Sequence, residues 1–387
     1  MYNRMILPVL HRYLRSFPAV VLTGARQVGK TTLLKAALGK SHRYILLEDP
    51  DVRLHALSDP RGFLEQNKGP IIFDEFQYAP GLLSYLQGII DGDRKKKGQF
   101  VLTGSQSFEM MTQVTQSLAG RAGILTLYGL CSVECPPMRD SWSISELAQA
   151  IFRGSYPELW GEIDILPTDW LGSYLRTYIE RDLRNLTQIG DLAVFERFVR
   201  LCAIRTGQLL NVSDLGRDAG VSHSTAHRWL SVLEQAYLIH LIQPFYENLS
   251  SRIKKSPKLY FLDTGLAAFL MGFKTADAML GAPQWGALFE TWVISEWIKK
   301  NTAKGTLPEH CFLESKTGVG VDLMARSERK WDLFEIKASQ TITEHLLLQV
   351  QKTAAMLGSR TGDQTLVAPV KERRDFKGIR IAPWQDI

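Results

Sequence analysis

Short apolar, β-branched runs alternate with helical stretches between residues 19 and 128: segments 19–22, 44–47, 71–73, 100–102 and 124–127 each read as a buried strand. Strands alternating with helices predict a parallel sheet covered by helices. Ahead of them, residues 1–15 set Met5, Ile6, Leu7, Leu10 and Leu14 among Arg4, His11, Arg12 and Arg15, an amphipathic helix capping the first domain. Pro136 and Pro137 break the alternation. Residues 144–281 then read as mainly helical, with Tyr174, Leu175, Tyr178, Ile179, Leu183 and Leu186 at helical spacing; Arg176, Arg181 and Arg184 on that helix interleave with Glu180 and Asp182, an ion-paired face. The remainder returns to helix plus strands, at 321–325, 331–336 and 365–369, with a helix over 342–357. The pattern predicts three domains: an α/β parallel-sheet domain over 1–140, a helical region over 141–281, and an α/β domain over 282–387.

Composition adds little to that division. The 387 residues are 45% hydrophobic and 22% charged, near the globular average, which excludes a disordered chain. The net charge of +6 is compatible with nucleic acid. Cys131, Cys135, Cys202 and Cys311 form no CxxC pair, and residues 1–15 do not read as a targeting peptide, so a reducing cytoplasm is expected. The apolar stretch 259–273 is interrupted by Asp263 and falls short of the ~18–20 residues a bilayer requires, so no transmembrane helix is expected.

Gly24-Ala25-Arg26-Gln27-Val28-Gly29-Lys30-Thr31, then Thr32, follows the first strand and opens a helix. This is the GxxxxGK[ST] loop in the strand–loop–helix context it requires. Its N–H groups would face phosphates, Lys30 would neutralise β- and γ-phosphate oxygens, and the Thr31 hydroxyl would ligate Mg2+. The apolar strand at 71–73 runs into Asp74 and Glu75: Asp74 is placed to hold the metal, Glu75 to polarise the attacking water. Ser105, after the strand at 100–102, is either a γ-phosphate sensor or part of a plain turn. Arg121 on the Gly-rich link 118–123 is a candidate arginine finger reaching the phosphate of a neighbouring subunit, which implies a homo-oligomer.

These motifs, with Ile72 to Pro80, Leu102-Thr103-Gly104-Ser105, Leu118-Ala119-Gly120-Arg121 and Gly154-Ser155-Tyr156-Pro157-Glu158, resemble the bacterial and archaeal AAA-type ATPases that carry a C-terminal domain of unknown function. The resemblance implies ATP binding with Lys30, Thr31, Asp74 and Glu75 in these roles, and leaves the biological task undefined.

Within the middle region, residues 209–230 read as two short helices about a Gly-containing turn, capped by Ser213 and Ser222. The second helix would expose His223, Ser224, His227 and Arg228 to a DNA major groove. Strands over 237–244 and 259–261 would add a wing, giving a winged helix over about 196–262 with Arg252, Lys254, Lys255 and Lys258 at its tip, suited to phosphates. Winged helices in ATPases also serve as lids or partner platforms, and that alternative stays open.

Near the end, Glu290 lies on an amphipathic helix that also bears Glu296. Asp322 on one strand and Glu335-Ile336-Lys337 on the next put three functional groups on one face. Such acids could hold Mg2+ while Lys337 stabilises charge on a phosphodiester. The set resembles the PD-(D/E)xK nuclease superfamily, with its restriction-endonuclease-like fold. That resemblance assigns Glu290, or else Glu296, as helical acid and Asp322, Glu335 and Lys337 as the core; the carboxylates could equally survive in a domain that only binds.

Overall fold

The structure, a computed structural model, describes residues 2–104, 117–140, 143–161, 164–178, 191–245, 256–315 and 319–387. Ser105, Arg181, Arg184, Arg252, Lys254 and Lys255 lie outside these. The chain divides into two compact units. One comprises Met1–Leu130 with Gln235–Tyr237 and Thr302–Thr306, and the other holds the remaining residues.

In the first unit, α1 (Leu7–Ser16) leads into β1 (Ala19–Thr23), α2 (Lys30–Leu38), β2 (Arg43–Leu46), α3 (Pro50–Ser58), α4 (Pro60–Gln66), β3 (Ile71–Asp74), α5 (Leu82–Gly92), β4 (Phe100–Thr103) and β5 (Ala122–Thr126). The five strands form one parallel sheet in the order β2-β3-β4-β1-β5. β1, β3 and β4 are buried along their whole length, because a parallel sheet is covered on both faces; this is why their sequences read as unbroken apolar runs. On one face Val21, Phe63, Phe73, Phe76, Leu86, Ile90 and Leu102 make the core. Side-chain caps set the helix starts: Asp49 accepts from the amides of Asp51 and Val52 to begin α3.

The second unit begins with a helical layer of α6 (Ile144–Arg153), α7 (Pro167–Tyr178) and α8 (Leu192–Ile204). The Gly154-Ser155 motif serves packing here. Asp263 accepts from the Ser155 amide (2.6 Å) and hydroxyl (2.7 Å) and from the Leu266 amide (2.7 Å), so one carboxylate pins the end of α6 and caps α11 (Thr264–Leu270). Between them lie β6 (Gln208–Leu209), α9 (Val212–Ala219), α10 (His223–Gln235), β7 (Ile239–Ile242) and β8 (Lys258–Phe261), the strands forming an antiparallel sheet in the order β6-β8-β7. The apolar stretch 259–273 is strand β8 followed by α11.

α12 (Trp285–Ala303) is buried from Leu288 to Lys300 apart from Glu290, which is half-buried. The expected amphipathic helix is thus an interior one. After it come β9 (His310–Glu314), β10 (Gly320–Ser327), β11 (Lys330–Ile336), α13 (Glu344–Leu357), β12 (Thr361–Ala368), β13 (Arg374–Phe376) and β14 (Ile379–Pro383). They build a six-stranded mixed sheet, β13-β14-β12-β11-β10-β9, in which α13 carries the parallel crossover from β11 to β12 and packs Leu347 and Val350 against Met324, Leu333 and Leu366.

Candidate functional site

Parallel pairing brings the carboxyl ends of β1 and β3 to the same end of the first sheet, and there the two halves of the nucleotide motif meet. Gly24 leaves β1 at φ 143°, and a Cβ at this position would lie 2.0 Å from the Leu127 carbonyl oxygen, so only glycine lets the loop start. Gly29 caps α2 at φ 90°, and Gln27 is also left-handed, at φ 61°. The loop hands over to α2 with its N–H groups gathered at the helix start. Lys30 is buried and donates to the carbonyls of Gly24 (2.9 Å) and Ala25 (2.7 Å). Burial pushes its ammonium down to about 8, against the pull of Glu75 and Asp74.

Thr31 Oγ1 donates to Asp74 Oδ2 at 2.7 Å, and the Tyr44 hydroxyl donates to the same oxygen at 2.6 Å. Asp74 Oδ1 accepts from the Glu75 amide at 3.0 Å. Glu75 itself is left-handed, at φ 51° and ψ 50°, and its carboxylate accepts from Gln77 Nε2. Non-glycine residues in that region are costly and collect where function demands them. The adjacent Thr31 and Asp74 oxygens, both at the loop's mouth, are hard donors that fit a magnesium ion.

Sequence reasoning missed three groups here. Tyr44 belongs to no motif; it reaches Asp74 because β2 pairs with β3, a neighbour relation the linear pattern does not contain. Thr103, at the end of β4 and paired with Leu22, keeps a buried hydroxyl without a hydrogen-bond partner. Arg4 was expected on the polar face of the first helix, but that helix starts at Leu7 and Arg4 is buried. Its guanidinium donates to the carbonyls of Val28 (2.8 Å), Tyr128 (2.6 Å) and Gly129 (3.3 Å), bracing the phosphate loop against the chain beyond β5.

Arg121 does not reach the nucleotide motif of its own chain. It precedes Ala122, which pairs with Ala19 at the amino end of β1, the opposite end of the sheet from Lys30. There its Nε and Nη2 donate to the Asp91 carboxylate at 2.9 and 2.8 Å.

In the second unit α9 is capped by Asn211, whose side chain accepts from the amides of Ser213 and Asp214, so Ser213 lies inside the helix and not at its cap. Gly220 ends α9 at φ 77°, and Ser222 Oγ accepts from the Thr225 amide at the start of α10. Ala226, Trp229, Leu230 and Leu233 are buried; His223, Ser224, His227 and Arg228 are exposed on the other face.

The C-terminal acids do converge, with an unexpected companion. Lys258 was expected at a wing tip facing solvent, yet only 9% of it is exposed. Its Nζ lies 3.2 Å from Glu290 Oε1 and 3.2 Å from Asp322 Oδ1, while the Tyr260 hydroxyl donates to Glu290 Oε1 at 2.6 Å. Lys337 Nζ lies 3.5 Å from Asp322 Oδ2 and 2.5 Å from Glu335 Oε1, and Asp322 Oδ2 also accepts from the Ile336 amide at 2.9 Å. Burial and the neighbouring Asp322 push Glu290 and Glu335 up; for Asp322 burial is outweighed by Lys258 and Lys337, which hold it down. Glu296 takes no part: it is fully buried elsewhere, accepting from the Ser132 amide at 2.8 Å and pairing with Lys300 at 3.5 Å. Glu290 is therefore the helical acid of the set. Each oxygen of Asp322 faces an ammonium, Oδ1 that of Lys258 and Oδ2 that of Lys337, and no three His, Cys, Asp or Glu side chains among the described residues are grouped to hold a metal. As arranged, this set does not fit a divalent ion.

No helix among the described residues is long and apolar enough to cross a membrane. Residues 144–277 match a domain of unknown function (DUF8612), and residues 285–387 match another (DUF4143). Uncharacterized proteins of Mycobacterium tuberculosis and Mycobacterium bovis are each 32% identical over 288 residues, 74% of this chain; the chain spans 64% of their length. Among solved structures, a Walker-type ATPase of Pyrococcus abyssi is 16% identical, with 68% of this chain and 94% of that one covered at a TM-score of 0.46. Residues 16–135 match an AAA domain, and with the loop, the Thr31–Asp74 contact and the parallel sheet they constitute an AAA-type P-loop ATPase domain.

Proposed function

We propose that the chain is an ATP-hydrolysing AAA-type protein that binds DNA through the α9–α10 region, hydrolysis driving rearrangement of the second unit. The observation that carries the hydrolytic half is the joining of Thr31 to Asp74, next to Glu75, at the mouth of a glycine loop. The loop amides take the phosphates, Lys30 turns its ammonium to the β- and γ-oxygens, and Glu75, held by Gln77, orients the attacking water. Mg2+, held by Thr31 and Asp74, would supply further charge neutralisation on those oxygens.

Support for DNA comes from α10, whose exposed face carries His223, Ser224, His227 and Arg228 over a packed inner face, next to the three-stranded sheet β6-β8-β7 in the manner of a winged helix. Lys254 and Lys255, outside the described residues, are further candidates for phosphate contact. The β10–β11 hairpin and α13 crossover are the order a restriction-endonuclease-like domain has, in keeping with a nucleic-acid-handling module.

The test is binding of linear, single-stranded and branched DNA over a salt series, with and without ATP. Affinity should fall steeply with salt, and Arg228→Glu should weaken it by about tenfold; Lys30→Ala and Glu75→Gln should abolish turnover and any ATP effect. DNA affinity unchanged by Arg228→Glu and by reversal at Lys254 and Lys255 would refute this contact surface.

A second reading, a nucleotide-gated switch for protein partners, draws on Leu348 and Met356, exposed on one side of α13. A homo-oligomer is proposed from Arg121, acting in trans after leaving Asp91; a strict monomer with full ATPase activity removes that role.

A further inference from the structure

We infer that Lys258 is the built-in cation of the C-terminal acid cluster, holding the place a divalent ion would take, so that the cluster binds no such ion while Lys258 is present. The inference is independent of both the ATPase and the DNA readings.

Lys258 is the first residue of β8, the central strand of its sheet, paired with β6 on one side and β7 on the other. Its backbone is therefore fixed by two neighbours. Strand alternation puts Tyr260 on the same face, and both side chains end on Glu290 Oε1, at 3.2 and 2.6 Å. The Lys258 ammonium spans from there to Asp322 Oδ1, also at 3.2 Å, and lies 5.6 Å from the centroid of the Phe312 ring. One ammonium thus bridges a helix acid and a strand acid that a metal would otherwise have to share.

Charge counting points the same way. Glu290, Asp322 and Glu335 carry −3 when ionised; Lys258 and Lys337 return +2, leaving −1. Adding a divalent ion would overshoot to +1, with an ammonium as its nearest neighbour. Without Lys258 the cluster would stand at −2, which one divalent ion neutralises. Burying charge is tolerable only when it is compensated, and here the compensation is covalently part of the chain. Two carboxylate oxygens take none of these contacts, Glu290 Oε2 and the buried Glu335 Oε2, but each oxygen of Asp322 faces an ammonium, so no ion can draw on all three acids while Lys258 is in place. The cluster is then a lysine-bridged bracket joining β8, α12, β10 and β11, not a hydrolytic centre.

The experiment uses the full, nucleotide-free chain and Mn2+ as the probe, counting bound ions by electron paramagnetic resonance and following the thermal midpoint. Wild type and Asp322→Asn should bind the same number of Mn2+ ions, any ion near Thr31 and Asp74 being common to both. Lys258→Met should bind one more, at least about tenfold tighter than any cluster binding in wild type, and Lys258→Met/Asp322→Asn should lose it. Mn2+ should raise the midpoint of Lys258→Met and leave wild type unmoved. A Mn2+ ion bound by wild type and lost in Asp322→Asn overturns the inference, as does a folded Lys258→Met that gains none. Should Lys258→Met not fold, the first comparison still decides.

Discussion

Arg4→Met probes how the phosphate loop is held. The substitution keeps an unbranched apolar stem in the buried slot and removes the guanidinium fork that reaches the Val28, Tyr128 and Gly129 carbonyls. Two of these bonds are short, at 2.8 and 2.6 Å, and the third is long, at 3.3 Å. Hydrogen bonds from a charged donor contribute about 1.5–3 kcal/mol each, so the two short ones amount to roughly 3–6 kcal/mol. Relief from burying the guanidinium offsets part of that, but carbonyls left facing inward without a donor keep a penalty of their own. The expected net loss is about 3 kcal/mol for the first unit, a fall in melting temperature on the order of 10 °C.

Because Val28 belongs to the loop, the same change should also raise the Kd for a fluorescent ATP analogue by about tenfold, the cost of a loop no longer preorganised. Arg4→Lys should recover only part of both effects, since one ammonium cannot reproduce the fork. Denaturant unfolding and analogue titration on the three proteins decide the matter. Stability within about 0.5 kcal/mol of wild type, with unchanged affinity, would refute the bracing role; a stability loss alone would confine Arg4 to the fold.

Three further outcomes are expected. Gly24→Ala should weaken ATP binding by at least roughly tenfold, because its Cβ would lie 2.0 Å from the Leu127 carbonyl oxygen and backbone cannot step aside; wild-type affinity in a titration would contradict this. With the free Lys30 ammonium near 8 and phosphates raising it in the complex, ATP affinity should be level below pH 8 and fall above it, with proton uptake on binding; calorimetry in buffers of different ionisation enthalpy checks the sign. His240 Nε2 meets His310 Nε2 at 2.8 Å, and burial, then His310, pushes His240 down to about 4 from 6.5. The folded state therefore keeps this imidazole neutral: its stability is full above pH 6.5 and falls by up to about 3 kcal/mol as pH drops to 4. Urea unfolding of His240→Leu should show a flatter acid limb, and an unchanged limb would count against the pair.

What the sequence revealed and what it hid divide along contact range. The phosphate loop and the Asp74-Glu75 pair are each contiguous, so residue type, spacing and the preceding apolar run contain nearly all the information that places them. Tyr44 and Arg4 act across strand order and across a long loop, and nothing local marks them. The helix acid shows the same limit differently. Glu290 and Glu296 lie six residues apart on α12, on different faces, so they could not both serve; but α12 is buried nearly all round, and its periodicity cannot say which face meets β10. Lys258 is the sharpest case. Its chain neighbours Lys254 and Lys255 made it look like one more solvated wing cation, although the apolar run Leu259-Tyr260-Phe261 already signalled a buried strand. A lysine opening such a strand must find carboxylates or pay the desolvation of an unpaired charge, and the three acids read as a metal site were the available partners. Basic and acidic residues assigned from sequence to two separate tasks thus satisfy one another, a pairing that the charge requirement alone could have raised before any strand was placed.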